Sequence, residues 1–244
     1  MRKVVIACFS LLAAVQPSVA GSAPHPYSSV RSCPGQARLR SSRTSYVALV
    51  RRATTAYRSP GHHAFHRFGR RNVNRVRTVF LIRSARFNHN CQPTWFGVML
   101  PIRPNGTVGY IRARTVVVAT VHTRIVVSLS RRRLRLFKYG RPILQTRTAI
   151  GAPRTPTPKG RFYINQRLRA DAPAGPWGPA ALGISAFSPV LTWWPQGGPI
   201  AIHGTNRPDL IGRAVSAGCI RVRNRMVLRL FRLVPTGTPV NIRR

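Results

Sequence analysis

The chain has 244 residues, and its 41 Lys and Arg against 2 acidic residues give a formal net charge of +39 at pH 7. The acidic residues are Asp171 and Asp209. A glycosidase carboxylate pair, a two-metal phosphoryl site and an acidic calcium loop each need clustered carboxylates, so the composition excludes them. Catalysis would have to use Cys, His, Ser or backbone dipoles. Such a charge attracts polyanions: nucleic acid, or anionic wall polymers and lipids outside the membrane.

The N-terminus predicts a signal peptide over residues 1–20. A positive start precedes an apolar run, and the small-x-small pattern that signal peptidase cuts ends at Ala20. Neither this run nor any later one is long enough to cross a bilayer. We therefore expect secretion to the cell wall or periplasmic space, with anionic wall polymers rather than nucleic acid as the polyanion. Cytoplasmic retention of residues 1–20 would instead favour a nucleic-acid-binding basic protein.

Export changes the meaning of the cysteines. Removal of the signal peptide leaves Cys33, Cys91 and Cys219. Whether Cys33 pairs with Cys91 is open, because both lie in the N-terminal half but sequence alone does not fix the bond. Cys219 is left over, and a free thiol in an exported protein calls for a reason.

The N-terminal half predicts a basic, flexible leader over 21–45 and then short apolar runs between turns, which suit a small β-barrel over 46–118. Pro104-Asn105-Gly106 indicates a hairpin. Residues 56–61, 95–98 and 103–111 resemble the bacterial SH3-like modules that precede wall enzymes. The insertion over 61–77 departs from that pattern. The insertion contains His62, His63 and His66, which could form a metal site with His89 and Cys91. We expect these three histidines to lie in a polar loop instead.

The C-terminal half predicts a second, antiparallel β segment over 122–244. Prolines cannot bond in a ladder, so residues 151–160 should form an ordered turn. Residues 170–199 are punctuated by Gly and Pro and predict a long structureless lid or binding wall that carries Trp193 and Trp194. Asn224 should cap the one good helix, and 238–242 should form a closing strand.

The chemistry is concentrated in two short motifs. A buried strand ends at His203-Gly204-Thr205, and a tight turn, Ser216-Ala217-Gly218, then presents Cys219. Glycine permits a backbone in which consecutive N–H groups converge, as an oxyanion hole requires. An imidazole can take the thiol proton, so a Cys–His pair suffices without a carboxylate. The scarcity of acids predicts a backbone carbonyl as the group that orients His203.

Residues 203–221 resemble the signature of the YkuD-type L,D-transpeptidases: His-Gly-Thr, then Ser-x-Gly-Cys-Ile-Arg. The turn over 151–160 resembles the same family, and the resemblance covers about 122–242. The whole chain is then a mainly β protein: a small SH3-like β-barrel followed by a YkuD-type β-sandwich-like catalytic domain with one or two short helices. The family implies acyl transfer without a cofactor or metal. Its cysteine attacks a peptidoglycan tetrapeptide stem, D-Ala leaves, and an amine of a second stem resolves the thioester as a cross-link between third residues.

The resemblance also implies site roles. Cys219 is the nucleophile, and His203 is its general base and acid. The backbone N–H groups of Gly218, Cys219 and Ala217 form the oxyanion hole, where many members carry a second His in place of Ala217. Gly204 orients His203, Ser216 braces the turn, Arg221 holds or orients the substrate, and carbapenem-type inhibitors should acylate Cys219. Two alternatives remain: an L,D-carboxypeptidase that uses water as acceptor, and a non-catalytic basic protein that binds the wall.

Overall fold

A computed structural model describes residues 35–39, 41 and 43–244. In this part of the chain the fold is mainly β, with 18 strands and one α-helix. The expectations for the signal peptide, for most of the leader and for Cys33 lie outside the described residues. Cys91 is disulfide-bonded.

Eight strands form the N-terminal sheet, in the order β4-β3-β7-β6-β5-β2-β8 with β1 paired to β5. Apolar side chains alternate into its core, among them Phe80, Ile82 and Phe96, which are buried. The turn 104–106 joins two of the strands as expected. The SH3-like assignment stays a prediction. The strands are β1 (Gln36–Arg38), β2 (Ser45–Val50), β3 (Thr54–Ser59), β4 (His62–Phe68), β5 (Val79–Phe87), β6 (Pro93–Met99), β7 (Val108–Arg112) and β8 (Val116–Val121).

The expected polar loop with His62, His63 and His66 is instead an edge strand. β4 pairs antiparallel with β3, with Thr54 opposite Phe68. Most of its side chains are exposed because β4 lies at the edge of the sheet, with one neighbouring strand. Its sequence therefore lacks the alternation of apolar and polar residues that would predict a strand. Among the described residues, no group of three or more His, Cys, Asp or Glu side chains is arranged to hold a metal ion.

A second sheet of eight strands forms the C-terminal half, in the order β11-β10-β9-β18-β13-β14-β15-β17, beside a two-stranded pair of β12 and β16. Its core contains Ile164, Leu182 and Ile202, all buried. The strands are β9 (Thr123–Ser128), β10 (Arg133–Lys138), β11 (Arg141–Arg147), β12 (Ile150–Gly151), β13 (Gly160–Arg169), β14 (Ala180–Phe187), β15 (Pro199–His203), β16 (Ala214–Ser216), β17 (Ile220–Arg221) and β18 (Pro239–Arg243).

Strand β14 corrects the expectation of a structureless segment over 170–199. It is a buried strand between β13 and β15, flanked by two shorter loops, 170–179 and 188–198. Gly183 lies mid-strand because a Cβ there would come 2.4 Å from Gln166 Cγ. Gly183, one of the glycines that favour a loop in the sequence, is therefore required by close packing inside a strand.

The helix α1 (Asn224–Leu233) packs its apolar face on β14 and β15. Its N-cap is Arg223 and not Asn224, which is the first helical residue. Short 3-10 turns occupy Ala113–Thr115, Pro195–Gly197 and Pro208–Leu210. No helix in the described part of the chain has the length and apolar character needed to cross a membrane.

The two large sheets contact each other directly. The fully buried Tyr163 of β13 donates its hydroxyl hydrogen to the carbonyl of Val79 on β5 at 3.0 Å. Arg103, just before the β6–β7 turn, donates to the carbonyls of Ser188 and Gly197 at 2.6 and 2.7 Å. The N-terminal sheet thus holds the loop 188–198 of the C-terminal half.

Candidate active site

The sheet register brings His203 and the segment of Cys219 together. β15 and β17 are parallel neighbours, with Ile202 opposite Ile220 and His203 opposite Arg221. Cys219 immediately precedes β17, one residue before Ile220. Because residues opposite each other in the register share a face, His203 and Arg221 point to the same side. The side chain of Cys219 contacts the strand of His203, since it takes part in a hydrogen bond with the backbone of Ala201 on β15.

A backbone carbonyl fixes the tautomer of His203. Its Nδ1 lies 2.6 Å from the carbonyl oxygen of Gly204. A carbonyl oxygen can only accept, so Nδ1 carries the hydrogen and Nε2 presents its lone pair. This is the orienting contact expected from the shortage of carboxylates. Asn224 supports it from α1, since its Oδ1 accepts a hydrogen bond from the N–H of Thr205 at 2.8 Å.

Burial keeps both groups of the pair uncharged. Desolvation lowers the pKa of His203 to about 4, helped by the charge of Arg221 and opposed by hydrogen bonds with the backbone of Gly204 and Trp177. Desolvation also raises the pKa of Cys219, which a backbone hydrogen bond at Ala201 and the charge of Arg221 partly offset. At neutral pH the resting pair is therefore a thiol beside a neutral imidazole.

Ser216 ties the turn that presents Cys219. Its hydroxyl donates to the carbonyl of Cys219 at 2.6 Å and accepts from the N–H of Gly218 at 3.2 Å. Gly218 has φ +112°, a backbone conformation that favours glycine. The turn is thus closed by its own serine, as expected for a brace.

The ordered turn 151–160 packs behind the cysteine turn. Thr157 Oγ1 accepts from the N–H of Gly151 and donates to the carbonyl of Gly218, both at 2.8 Å and both buried. Thr155 Oγ1 donates to the carbonyl of Ser216 at 2.8 Å. Two threonines between prolines therefore satisfy the carbonyls of the cysteine turn.

The expected oxyanion donors are not equivalent. The N–H of Gly218 already donates to Ser216 Oγ, so it is not a free donor as expected. The N–H groups of Ala217 and Cys219 have no acceptor among the described residues. Free N–H groups on either side of a positive-φ glycine suit a developing oxyanion, so the candidate hole is Cys219 with Ala217, and Gly218 supplies the conformation.

Arg221 lies in register with His203 and is held by its backbone. Its N–H donates to the carbonyl of Ala149, and its own carbonyl accepts from the N–H of Ala149, both at 2.9 Å. The side-chain Nε is buried and has no hydrogen-bond partner among the described residues.

A largely apolar cavity of about 710 Å³ lies next to these residues, although neither His203 nor Cys219 lines it. It is lined by Ala201, whose backbone contacts Cys219, and by Trp177 and Trp194. The ring of Trp177 packs on the His203 imidazole with 4.5 Å between centroids. Trp193, expected as a groove wall, is 75% exposed and does not line the cavity. The cavity thus adjoins a buried thiol and a buried neutral imidazole.

Comparisons with known proteins identify relatives of the C-terminal half. A sequence profile of the YkuD family, the L,D-transpeptidase catalytic domain, matches residues 122–242. The chain is 35% identical over 152 residues to a putative L,D-transpeptidase YkuD of Bacillus subtilis, covering 60% of this chain and 85% of that protein. It is 42% identical over 123 residues to the putative L,D-transpeptidase YkuD of Bacillus licheniformis, covering 50% of this chain and 67% of that one.

The chain belongs to the YkuD family of L,D-transpeptidases. Among solved structures it is similar to an Enterococcus faecium L,D-transpeptidase, with 26% identity and a TM-score of 0.39. That match covers 50% of this chain and 49% of that one, so the chain spans about half the length of this relative.

Three positions in this L,D-transpeptidase fold were not expected at the site. They are Trp177 in the loop 170–179, Thr157 in the turn 151–160, and Asn224, which the sequence predicts only as a helix cap. The signal for Trp177 lay in Gly178, where a Cβ would come 2.6 Å from Gly204 Cα. Two glycines let the loop 170–179 cross the His203 strand end closely enough to place the indole on the imidazole.

Proposed function

We propose that the protein is a peptidoglycan L,D-transpeptidase that works by cysteine acyl transfer. One observation carries the proposal: the register of β15 and β17 brings a neutral His203 and the segment of Cys219 together beside a groove, which Ala201 lines. A neutral base next to a buried thiol suits a mechanism in which proton transfer and attack occur together.

Acylation begins when the thiol attacks the carbonyl that precedes the terminal D-Ala of a tetrapeptide stem. His203 Nε2 takes the thiol proton, and the C–S bond forms as the carbonyl becomes an oxyanion. The N–H groups of Cys219 and Ala217 stabilise that negative charge. The C–N bond then breaks, the imidazolium returns the proton to the leaving amine, and D-Ala departs. The product is a thioester on Cys219.

Deacylation repeats the sequence with a second stem. The amine of its third residue attacks the thioester, and His203 Nε2 removes a proton from the attacking nitrogen. The C–S bond breaks, and the proton passes to the sulfur, which regenerates the thiol. The new amide joins two third residues. The thioester preserves the energy of the original amide, so no nucleotide is consumed.

Substrate binding falls to Arg221 and to the apolar groove. Arg221 lies opposite His203 in the register, and its guanidinium charge can attract a carbonyl or carboxylate of the stem. Trp177 and Trp194 provide apolar walls for an extended peptide. Trp177 also keeps water from the imidazole, which maintains its neutral form.

Incubation of the purified protein with disaccharide-tetrapeptide tests the proposal. We expect release of D-Ala together with a cross-linked dimer, and neither product from the Cys219→Ala variant. Shortened stems without dimer would indicate an L,D-carboxypeptidase. The absence of both products in the wild-type protein would contradict the enzyme and favour a non-catalytic wall-binding protein.

Carbapenem treatment gives a second test of the nucleophile. An active Cys219 should form a covalent adduct visible by mass spectrometry of the intact protein. The Cys219→Ala variant should remain unmodified. Retention of the adduct in that variant would place the reactive group elsewhere.

The proposal places the protein outside the cytoplasmic membrane. It includes cleavage after residue 20, an SH3-like N-terminal module over 46–118, and retention by anionic wall polymers through the net charge of the cleaved chain, which is +37 because Arg2 and Lys3 are removed. N-terminal sequencing of the exported protein tests the first of these. Release from isolated walls at raised ionic strength tests the last.

A further inference from the structure

A cluster of carboxamides lies at one end of the groove. Gln166 of β13 accepts two hydrogen bonds at its Oε1, from Asn72 Nδ2 and from Asn74 Nδ2, each at 2.9 Å. Gln166 is only 8% exposed, and with Asn74 it lines the 710 Å³ cavity. Both asparagines belong to the N-terminal sheet, in the segment between β4 and β5. Residues from outside the matched catalytic domain therefore form part of the groove wall.

The two asparagines fix the direction of the Gln166 amide. Because Oε1 accepts from both, Nε2 must face away from them. It lies over Gly183, where a Cβ would come 2.9 Å from Nε2, and Gly183 also lines the cavity. Nε2 donates to no acceptor among the described residues, and it is not one of their solvent-excluded polar atoms. Its N–H groups are therefore reachable from the groove.

The supporting segment is itself preformed. Asn72 Oδ1 accepts from the N–H of Asn74 at 3.0 Å and of Val76 at 3.2 Å, which sets the shape of the segment independently of Gln166. Asn74 also exchanges hydrogen bonds with Gln196 of the loop 188–198, at 3.3 and 3.5 Å. The amide is thus held from two sides before any ligand arrives.

We propose that Gln166 binds a carbonyl or carboxylate oxygen of the acyl-donor peptide through Nε2. Asn72 and Asn74 act as positioning residues that keep this donor turned toward the groove. The same cavity is lined by Ala201, whose backbone contacts Cys219, so Gln166 and the strand next to the thiol border one groove. The inference rests on the proposed function for the identity of the peptide. It assigns the N-terminal sheet a part in substrate binding.

Two substitutions test whether Gln166 acts through its Nε2 donor in the groove or only through its hydrogen bonds to the asparagines. Gln166→Glu keeps an oxygen that accepts from both asparagines but replaces the Nε2 donor with a second acceptor. Asn72→Asp keeps the Oδ1 contacts that shape the segment but replaces the donor to Gln166 with an acceptor. Oε1 then keeps only the hydrogen bond from Asn74, and the new carboxylate attracts the Nε2 hydrogens away from the groove. Both changes weaken the donor that the groove presents to the peptide.

Binding of disaccharide-tetrapeptide to the full-length Cys219→Ala protein, measured by calorimetry, tests the inference without turnover. We expect Gln166→Glu and Asn72→Asp in this background each to raise Kd by about tenfold, as for loss of one good hydrogen bond. Gln145→Glu is the matched control. It adds the same charge on the edge strand β11, where Gln145 is exposed and contacts Arg135, and it should leave Kd unchanged.

The outcomes distinguish this inference from the proposed function. Equal Kd values for Gln166→Glu and Gln145→Glu overturn the inference, and so does failure of the Cys219→Ala protein to bind the peptide. D-Ala release by the wild-type protein reports on the function separately. If Gln166→Glu does not fold, as judged by thermal unfolding, the Asn72→Asp variant decides by the same comparison. A raised Kd with an unchanged Tm supports the binding of the peptide by Gln166 Nε2.

Discussion

A His203→Gln substitution tests the burial of the imidazole through the pH dependence of folding. His203 is 3% exposed and has a pKa of about 4, against an ordinary value of 6.5. Between these values the unfolded chain binds a proton at His203 that the folded chain does not. The free energy of unfolding therefore falls as the pH falls. The contribution is fully present above pH 6.5 and is lost as the pH approaches 4.

The size of this effect follows from the pKa difference between the folded and unfolded states. A shift of this size corresponds to about 3 kcal/mol, at 1.36 kcal/mol for each pKa unit. Most of it is available between pH 7 and pH 4. The other titrating groups are the same in both proteins, so their contributions cancel when the wild-type protein and the His203→Gln variant are compared.

Urea denaturation at pH 7 and pH 4 measures the difference. Between these pH values the wild-type protein should lose about 3 kcal/mol more unfolding free energy than the variant does. Equal losses in the two proteins would refute the depressed pKa, and with it the neutral resting pair. A larger loss of unfolding free energy in the variant would mean that folding raises the pKa of His203 instead of lowering it.

Three further predictions concern the surroundings of the pair. Trp177→Ala should expose the imidazole and move the pKa of His203 from about 4 toward 6.5. NMR titration of the ring measures this pKa, and an unchanged value would show that the indole does not shield the imidazole. Alkylation of native Cys219 by iodoacetamide should be slow at pH 7, because burial raises its thiol pKa, and a rate that levels off below pH 7 would disprove this. Thr157→Val should lower the unfolding free energy in urea by about 1–3 kcal/mol, since two buried hydrogen bonds are lost. Asp209→Asn, at an exposed ion pair, is the comparison expected to show little change.

The site motifs could be predicted because their chemistry is local in sequence. The buried strand that ends at His203 needs only alternating apolar residues. The turn before Cys219 needs only serine and glycine at set positions. The contact between Nδ1 and Gly204 joins neighbouring residues, so composition alone suggested it. The YkuD resemblance of 122–242 rests on these same short segments, and the family profile matches that range.

The remaining features depend on partners that are distant in sequence. β14 was missed because Gly183 looks like a loop residue until Gln166 is known to pack against it. The side chain of Asn224 serves Thr205, 19 residues away. Such pairings arise only when the sheet order is set, so local propensity cannot indicate them.

Gly204 contacts both its sequence neighbour His203 and residues that are distant in sequence. Gly204→Ala is therefore the most informative single substitution at the site. A Cβ at this position would lie 2.4 Å from Asn224 Oδ1 and 3.0 Å from Gly178 Cα. The methyl group must displace the side chain that holds Thr205 or the loop that carries Trp177. Either movement shifts the carbonyl that fixes His203. A displacement near 1 Å can cost about a hundredfold in rate, so carbapenem acylation of Cys219 should slow by that factor in the folded variant. Gly69→Ala, whose Cβ would lie 3.1 Å from the carbonyl oxygen of Arg71, should react at the wild-type rate. Acylation of Gly204→Ala at that same rate would show that the imidazole does not depend on this carbonyl for its orientation.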